Sequence, residues 1–404
     1  MAHAFLARQV SDLCVGKQPL SSLPATASIA DTVIALKRSG NIDISIWNCN
    51  HLTDFKDSGI NDNVVSCWCV GKICMVDVIA FICKDENVAR PLDVLEQTSV
   101  LDLISGEGKI KHLESNSSLL EAIDCILEGA QNLVIPIETT RYNQRKRQVI
   151  TKTSPLGTTT LHNGQEFCWI TREDVIRFML DSINVFSPVP TFTIDSLDVI
   201  NTDTLTIYYD DPAYSALPLI TNSHLNQTSI AVVNQDNTLI GEISPFSLSC
   251  CDETIIAAVA TLSAGDLMAY LDYSGPPEDL VHLVKMRLQE RKLSAMLDLM
   301  EDYNSAASSF SSSSSSDEEF GSGKNGGIMG RSNPWRRSEA IVCNPWNTLM
   351  AVMVQMIAHR VSYAWVVKED YGLIGIVTFT DILRRLRSSV DFLSKHTEEN
   401  TNMQ

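Results

Sequence analysis

One unit of secondary structure recurs four times along this 404-residue chain, and such a repeat constrains the fold more than any single motif. The last copy is the clearest. In NTLMAVMVQMIAHR, which begins at Asn347, residues Leu349, Val352, Met353 and Met356 fall at helical spacing and predict an amphipathic helix. Residues 362–367 are rich in β-branched and aromatic types and predict a strand. A turn follows at 369–372, a second strand at 373–378, and a helix from Phe379. Met353, Met356 and Trp365 are read as core.

The ending GIVTFTD at 375–381 has counterparts in GKICMVD at 71–77, CWITRED at 168–174 and GEISPFS at 241–247. Each closes a strand on a small residue and places an acid or Ser three positions later. The opening helices recur as SIADTVIALKRSG from Ser28 and SLLEAIDCILEGA from Ser118, each followed by an apolar strand, at 42–47 and 133–137. The copies are unevenly spaced, so loops have been inserted into a common unit, one of them at 141–164.

Composition narrows the partners. Lys and Arg number 31 against 49 Asp and Glu, a net charge of −18, which argues against binding to a phosphate backbone and hence against nucleic acid. A small anionic ligand held by a few local cations stays compatible with it. The most apolar window, 70–83, is interrupted by Lys72 and Asp77 and falls short of the ~18 residues of a membrane span. The 11 Cys residues are odd in number and follow no framework spacing, which predicts a reducing compartment, read as the cytoplasm. An N-terminus poor in acids leaves an organelle transit peptide as the alternative.

These units resemble the cystathionine-β-synthase (CBS) motif, most specifically through GIVTFTDIL at 375–383, and the whole chain from about residue 10 to 390 is similar to plant CBS-domain proteins of the CBSX group. The opening VSDLCVGKQPLSSL from Val10 is similar to the start of that group as well. The resemblance implies an α/β fold of two tandem Bateman modules, each a pair of motifs: copies one with two, and three with four. The expected layout is 10–190 for the first module, 191–273 for motif three, 274–334 for an inserted helix and linker, 335–391 for motif four, and 392–404 for a tail.

The resemblance further implies an adenosine-bearing ligand, AMP, ATP or S-adenosylmethionine, in clefts between paired motifs. The residues it points to are Thr378 with Asp381 and Thr171 with Asp174. Asp77 follows more weakly, because Cys74 stands where the hydroxyl belongs. Copy three has Ser244 and Ser247, lacks the acid, and is expected to be altered or dead. A carboxylate can accept from both ribose hydroxyls, and the adjacent helix N-terminus offers N–H groups to an anion. The competing reading is local: a Thr three residues before an acid, ahead of an apolar run, is also a helix capping box, worth about 1 kcal/mol without any ligand. Arg172 and Arg177, and His359, Arg360, Arg384 and Arg385, are nearby cations whose default is solvation.

Other candidates are weaker. GSGKN at 321–325 lacks the Ser/Thr, strand and helix of a P-loop, and there is no nucleophile elbow or zinc helix. Cys49, His51, Cys67 and Cys69 are of zinc-ligand types, yet alternation with Trp68 reads better as packed strand cysteines, and no metal is expected. The basic run of Arg141, Arg145, Lys146 and Arg147 reads as solvated. Residues 278–302 form one long amphipathic pattern that docks on its own protein or on a partner, and 305–330 is too Ser- and Gly-rich to order itself, with acids after the serines that would suit a kinase. The combined expectation is a non-enzymatic sensor of an adenosine ligand that modulates a partner protein, such as a kinase complex. Homodimerisation is compatible with it. The alternatives are a ligand-free scaffold resembling a kinase γ-type subunit and, remotely, an enzyme.

Overall fold

The computed structural model describes residues 5–49, 67–104, 110–137, 159–272, 276–298, 300 and 340–401, with side chains as far as Val390. The predicted four units are four three-stranded sheets. They comprise β1 (Ser22–Pro24), β2 (Asp43–Asn48) and β3 (Trp68–Cys74); β4 (Ile110–His112), β5 (Asn132–Pro136) and β6 (Phe167–Ile170); β7 (Thr206–Tyr208), β8 (Ile230–Val233) and β9 (Leu239–Ile243); and β10 (Val342–Cys343), β11 (Tyr363–Val367) and β12 (Leu373–Thr378). In every sheet the first strand runs parallel to the second, and the third is antiparallel to it. A parallel pair needs a crossover, which the helices Ile29–Ser39, Leu119–Leu127, Leu217–Asn226 and Leu349–His359 supply. Ser28, Ser118 and Thr348 cap three of these helices by accepting the N–H three residues on.

Each sheet is covered on both faces, and the central strands of sheets three and four, β8 and β11, are apolar and buried throughout. One face meets another sheet. Sheets one and two close over Leu20, Trp47, Cys69 and Val134, and sheets three and four over Ala231, Val233, Leu239, Tyr363, Trp365, Val367 and Ile376. The other face carries helices, and there the partnership changes. One helical core joins unit one to unit three through residues such as Ile79, Ile82, Ile220 and Ala257. A second joins unit two to unit four through Ile123, Ile176, Ile382 and Leu386. The result is the α/β architecture of two sheet-paired modules, held together by their helical layers.

The buried sheet–sheet face of units three and four contains a carboxylate that alternation alone would not single out. Glu242 is 5% exposed and accepts from Tyr363 Oη at 2.8 Å and from Trp365 Nε1 at 2.7 Å. Burial raises its pKa to about 7, against the opposing pull of Trp365, Tyr363 and Ser229.

Residues beyond the common unit depart from expectation in one respect. The pattern at 278–302 is not one helix: Glu278–Glu290 ends at Arg291, and Lys292 turns the chain with φ 57°. The helix docks on its own protein, burying Val284 and Leu288. Arg287 Nη1 donates to Thr261 O at 2.8 Å, and Arg291 Nη1 donates to Ala260 O, so two guanidinium groups satisfy carbonyls at the end of helix Ile255–Thr261. The Ser-rich stretch 305–330 and the basic run 141–147 lie outside the described residues.

At Gly375, in copy four, a crossing main-chain segment leaves no room for a side chain. Asn201 and Ile376 exchange backbone hydrogen bonds at 2.8 Å, and a Cβ on Gly375 would sit 2.5 Å from the Asn201 carbonyl oxygen. Main chain cannot move aside as a side-chain tip can. Gly375→Ala is expected to destabilise the protein by about 1–3 kcal/mol, as overpacking does, visible as a lower urea midpoint at unchanged slope. A wild-type midpoint would show that the crossing segment yields at little cost.

Candidate functional site

All four polar-x-x-polar sequences stand where a third strand ends and a helix begins, so extended backbone at the first residue turns helical at once. Cys74, Thr171 and Ser244 have φ,ψ of −132°,178°, −107°,168° and −90°,131°. In three copies the acid folds back on this junction. Asp77 Oδ2 accepts from Cys74 N at 2.8 Å, Asp174 Oδ2 from Thr171 N at 2.7 Å, and Asp381 Oδ2 from Thr378 N at 3.2 Å. The two threonine hydroxyls donate to the same oxygens at 2.8 and 2.6 Å and accept the Asp174 and Asp381 N–H groups at 3.3 and 3.2 Å. These are reciprocal capping boxes. In copy three the Ser244 hydroxyl accepts from Phe246 N at 3.2 Å, and Ser247 stands where the acid would return.

What distinguishes the copies is the remaining partner of each carboxylate. Asp174 Oδ2 also takes Lys17 Nζ at 2.6 Å. Asp77 Oδ1 faces His224 Nε2 at 3.5 Å, across the helical layer from unit three, and Cys74 Sγ lies 3.7 Å from the same nitrogen. Burial opposes a charge on His224, but the Cys74 sulfur and the Asp77 carboxylate outweigh it and push the imidazole up to about 10. Asp77 is held below the usual carboxylate range, burial being overcome by His224 and the Cys74 N–H. Asp381 Oδ1 accepts from the exposed Arg384 at 2.9 Å.

Asp381 also opens onto a cavity of about 250 Å³, lined with Arg384, Arg385, Ser388 and the backbone run 197–201 that crosses Gly375. Thr378 sits beside it, 8% exposed. Arg172, expected in solvent, is instead buried: its Nη1 donates to Asn226 O at 3.0 Å, while its Nε is enclosed without a hydrogen-bond partner. Burial lowers its pKa to about 10, with the Asp381 charge working in the opposite direction. Arg177 pairs with Glu173 at 2.6 Å, an ordinary surface contact. Unit four therefore combines a carboxylate, two arginines and a helix start around one opening, a set that can take a diol and an anion together. A larger cavity, about 670 Å³, lies between helix Ile255–Thr261 and the inserted helix and contains none of the predicted residues.

Sequence reasoning did not find Lys17, His224 or Glu242, because each reaches its partner across the fold. The expected cysteine group is also rearranged. Cys49 and Cys67 do converge, but with His162 of the second unit and not with Cys69, whose sulfur turns to Gly71 O at 3.4 Å. His51 lies outside the described residues.

Comparison with known proteins adds to this picture. The pattern of the CBS domain matches residues 337–388. The chain is 43% identical over 400 residues to the Arabidopsis thaliana CBS domain-containing protein CBSX5, covering 97% of this chain and 99% of that one. It is 21% identical to the Arabidopsis SNF1-related protein kinase regulatory subunit gamma-like PV42b, over 80% of this chain and 76% of that relative. A crystal structure from Methanocaldococcus jannaschii, described as that of an archaeal homologue of γ-AMPK, superimposes with TM-score 0.51 at 15% identity, covering 93% of this chain and 99% of that one.

Proposed function

The chain belongs to the CBS domain-containing proteins, and from that premise we propose that it is a non-enzymatic regulatory protein that senses an adenosine-containing ligand and modulates a partner. The observation that carries this reading is the opening at Asp381. The carboxylate would accept from the ribose hydroxyls, while Arg384 and Arg385 would face the phosphate of AMP or ATP or the carboxylate of S-adenosylmethionine. The cavity wall at 197–201 belongs to the segment leading into unit three, and the acid belongs to unit four. A ligand bridging them would bias the packing of one unit against the other, and a partner could read that bias. Such a partner is of the protein-kinase-complex kind, in keeping with the gamma-like relative.

A second reading has its own support. Every acid of the set already closes a capping box, and Asp77 and Asp174 are further neutralised by His224 and Lys17. The repeats would then supply interaction surface alone. Titration calorimetry of the full chain with AMP, ATP and S-adenosylmethionine separates the two. The sensor reading expects saturable heat with at least one of them, at one or two sites per chain. Silence from all three at millimolar concentration would leave the scaffold.

A further inference from the structure

We propose that Cys49, Cys67 and His162 form a binding site for one zinc ion, with Ser22 as the group that orients the histidine. Cys49 follows β2 and Cys67 precedes β3, and the last paired residues of those strands, Asn48 and Trp68, lie opposite each other, so the two cysteines stand across the ladder's end. His162 arrives from the second unit, held by a short hairpin in which it and Gln165 exchange backbone hydrogen bonds at 2.9 and 3.0 Å. The three ligand atoms lie within 4.8 Å of one another, and Cys49 Sγ is 3.2 Å from His162 Nδ1. Tetrahedral zinc with its usual bond lengths sets S···N at about 3.6 Å and S···S at about 3.8 Å, so small side-chain adjustments admit the ion.

The surroundings prepare the histidine for this role. His162 is 2% exposed and stacked on Trp47, with ring centroids 3.6 Å apart and planes 8° from parallel, which fixes the ring plane. Ser22 Oγ donates its single hydrogen to Thr159 O at 2.6 Å. Towards His162 Nε2, 3.0 Å away, that oxygen can only accept. Nε2 therefore carries the proton, and the lone pair of Nδ1 points at the Cys49 sulfur. A ligating histidine whose other nitrogen donates to an outer group is the arrangement by which metal sites set tautomer and orientation. A dication bound here would hold the two sulfurs as thiolates. Two sulfurs and one imidazole suit zinc over harder cations, and three protein donors leave a fourth tetrahedral position for water. The ion would tie both ends of the β2–β3 connection to the second unit.

The test uses the full chain, stripped with chelator and kept under a non-thiol reductant, titrated with Co²⁺ and then Zn²⁺. Thiolate-to-cobalt charge transfer and tetrahedral visible bands should saturate at one Co²⁺ per chain and vanish as Zn²⁺ displaces it. Cys67→Ser and His162→Gln should each abolish the saturating spectrum, with far-ultraviolet circular dichroism confirming that at least one of them folds. Ser22→Ala keeps all three ligands and should weaken binding about 10–100-fold, the usual effect of losing an outer-shell partner. Absence of charge transfer in the reduced wild type would overturn the proposal. So would a spectrum that survives in a folded ligand variant, or a Cys49–Cys67 disulfide that persists under reductant.

Discussion

Glu242→Ala is expected to destabilise the protein by about 3–5 kcal/mol, because it strands two buried donors at once and opens a cavity between sheets three and four. Trp365 Nε1 and Tyr363 Oη both donate to this carboxylate, and both side chains are buried. Glu242→Gln keeps an oxygen for Trp365 and an N–H for the tyrosine oxygen, so it should cost far less. The pair also separates packing from charge. The pKa of Glu242 in the folded protein is about 7, above its ordinary 4.5, so the folded state holds the proton more tightly than the unfolded state. The carboxyl's contribution is thus most favourable below pH 4.5 and is lost as pH rises towards 7, at up to about 1.4 kcal/mol per pH unit and about 3 kcal/mol in all. Urea midpoints of wild type and Glu242→Gln, measured between pH 5 and 8, should converge or cross as pH rises, with the wild type losing more. Parallel curves would show that Glu242 is ionised throughout.

Asp381→Asn is expected to weaken binding of the adenosine ligand by about 1.5–3 kcal/mol, roughly tenfold to 150-fold, as loss of a charge-assisted acceptor does. The unliganded fold should lose much less, since asparagine keeps an oxygen for the Thr378 N–H. Asp174→Asn should have a smaller effect on affinity, because that carboxylate is engaged by Lys17 and not by the cavity. Ser247→Ala, in the copy without an acid, should leave affinity unchanged. Calorimetry on the four proteins checks the order. Equal affinities across the set would place any ligand away from these junctions and assign the acids to helix capping alone.

Much of this architecture was written locally and could be read from residues. Leu349, Val352, Met353 and Met356 mark a helix by spacing, and 373–378 emerges as β12 within the bounds expected. The polar-x-x-polar junctions open helices because a Thr or Ser and a returning acid satisfy N–H groups that any helix start exposes, a rule with a range of three residues. The first strands, β1, β4, β7 and β10, escaped because two or three residues carry no periodicity; parallel pairing to a distant strand makes them strands at all. The second partnership, unit one with three and two with four through helices, was likewise invisible, since an apolar helical stripe shows that it is buried but not against what.

The sequence by itself determined the fourfold α/β unit, the pairs Thr378–Asp381 and Thr171–Asp174 at helix starts, and the acid missing from copy three. All of these rest on neighbours within one turn or one hairpin, where chain geometry leaves little choice. Only the tertiary structure decided what each acid faces: a cavity at Asp381, Lys17 at Asp174, His224 at Asp77. It alone buried Arg172 and Glu242, and it alone brought His162 to Cys49 across 113 positions of chain. The physical reason is that charge, burial and ligand geometry depend on distances through space. Those distances are set by how whole layers pack, and no local pattern of residue types records them.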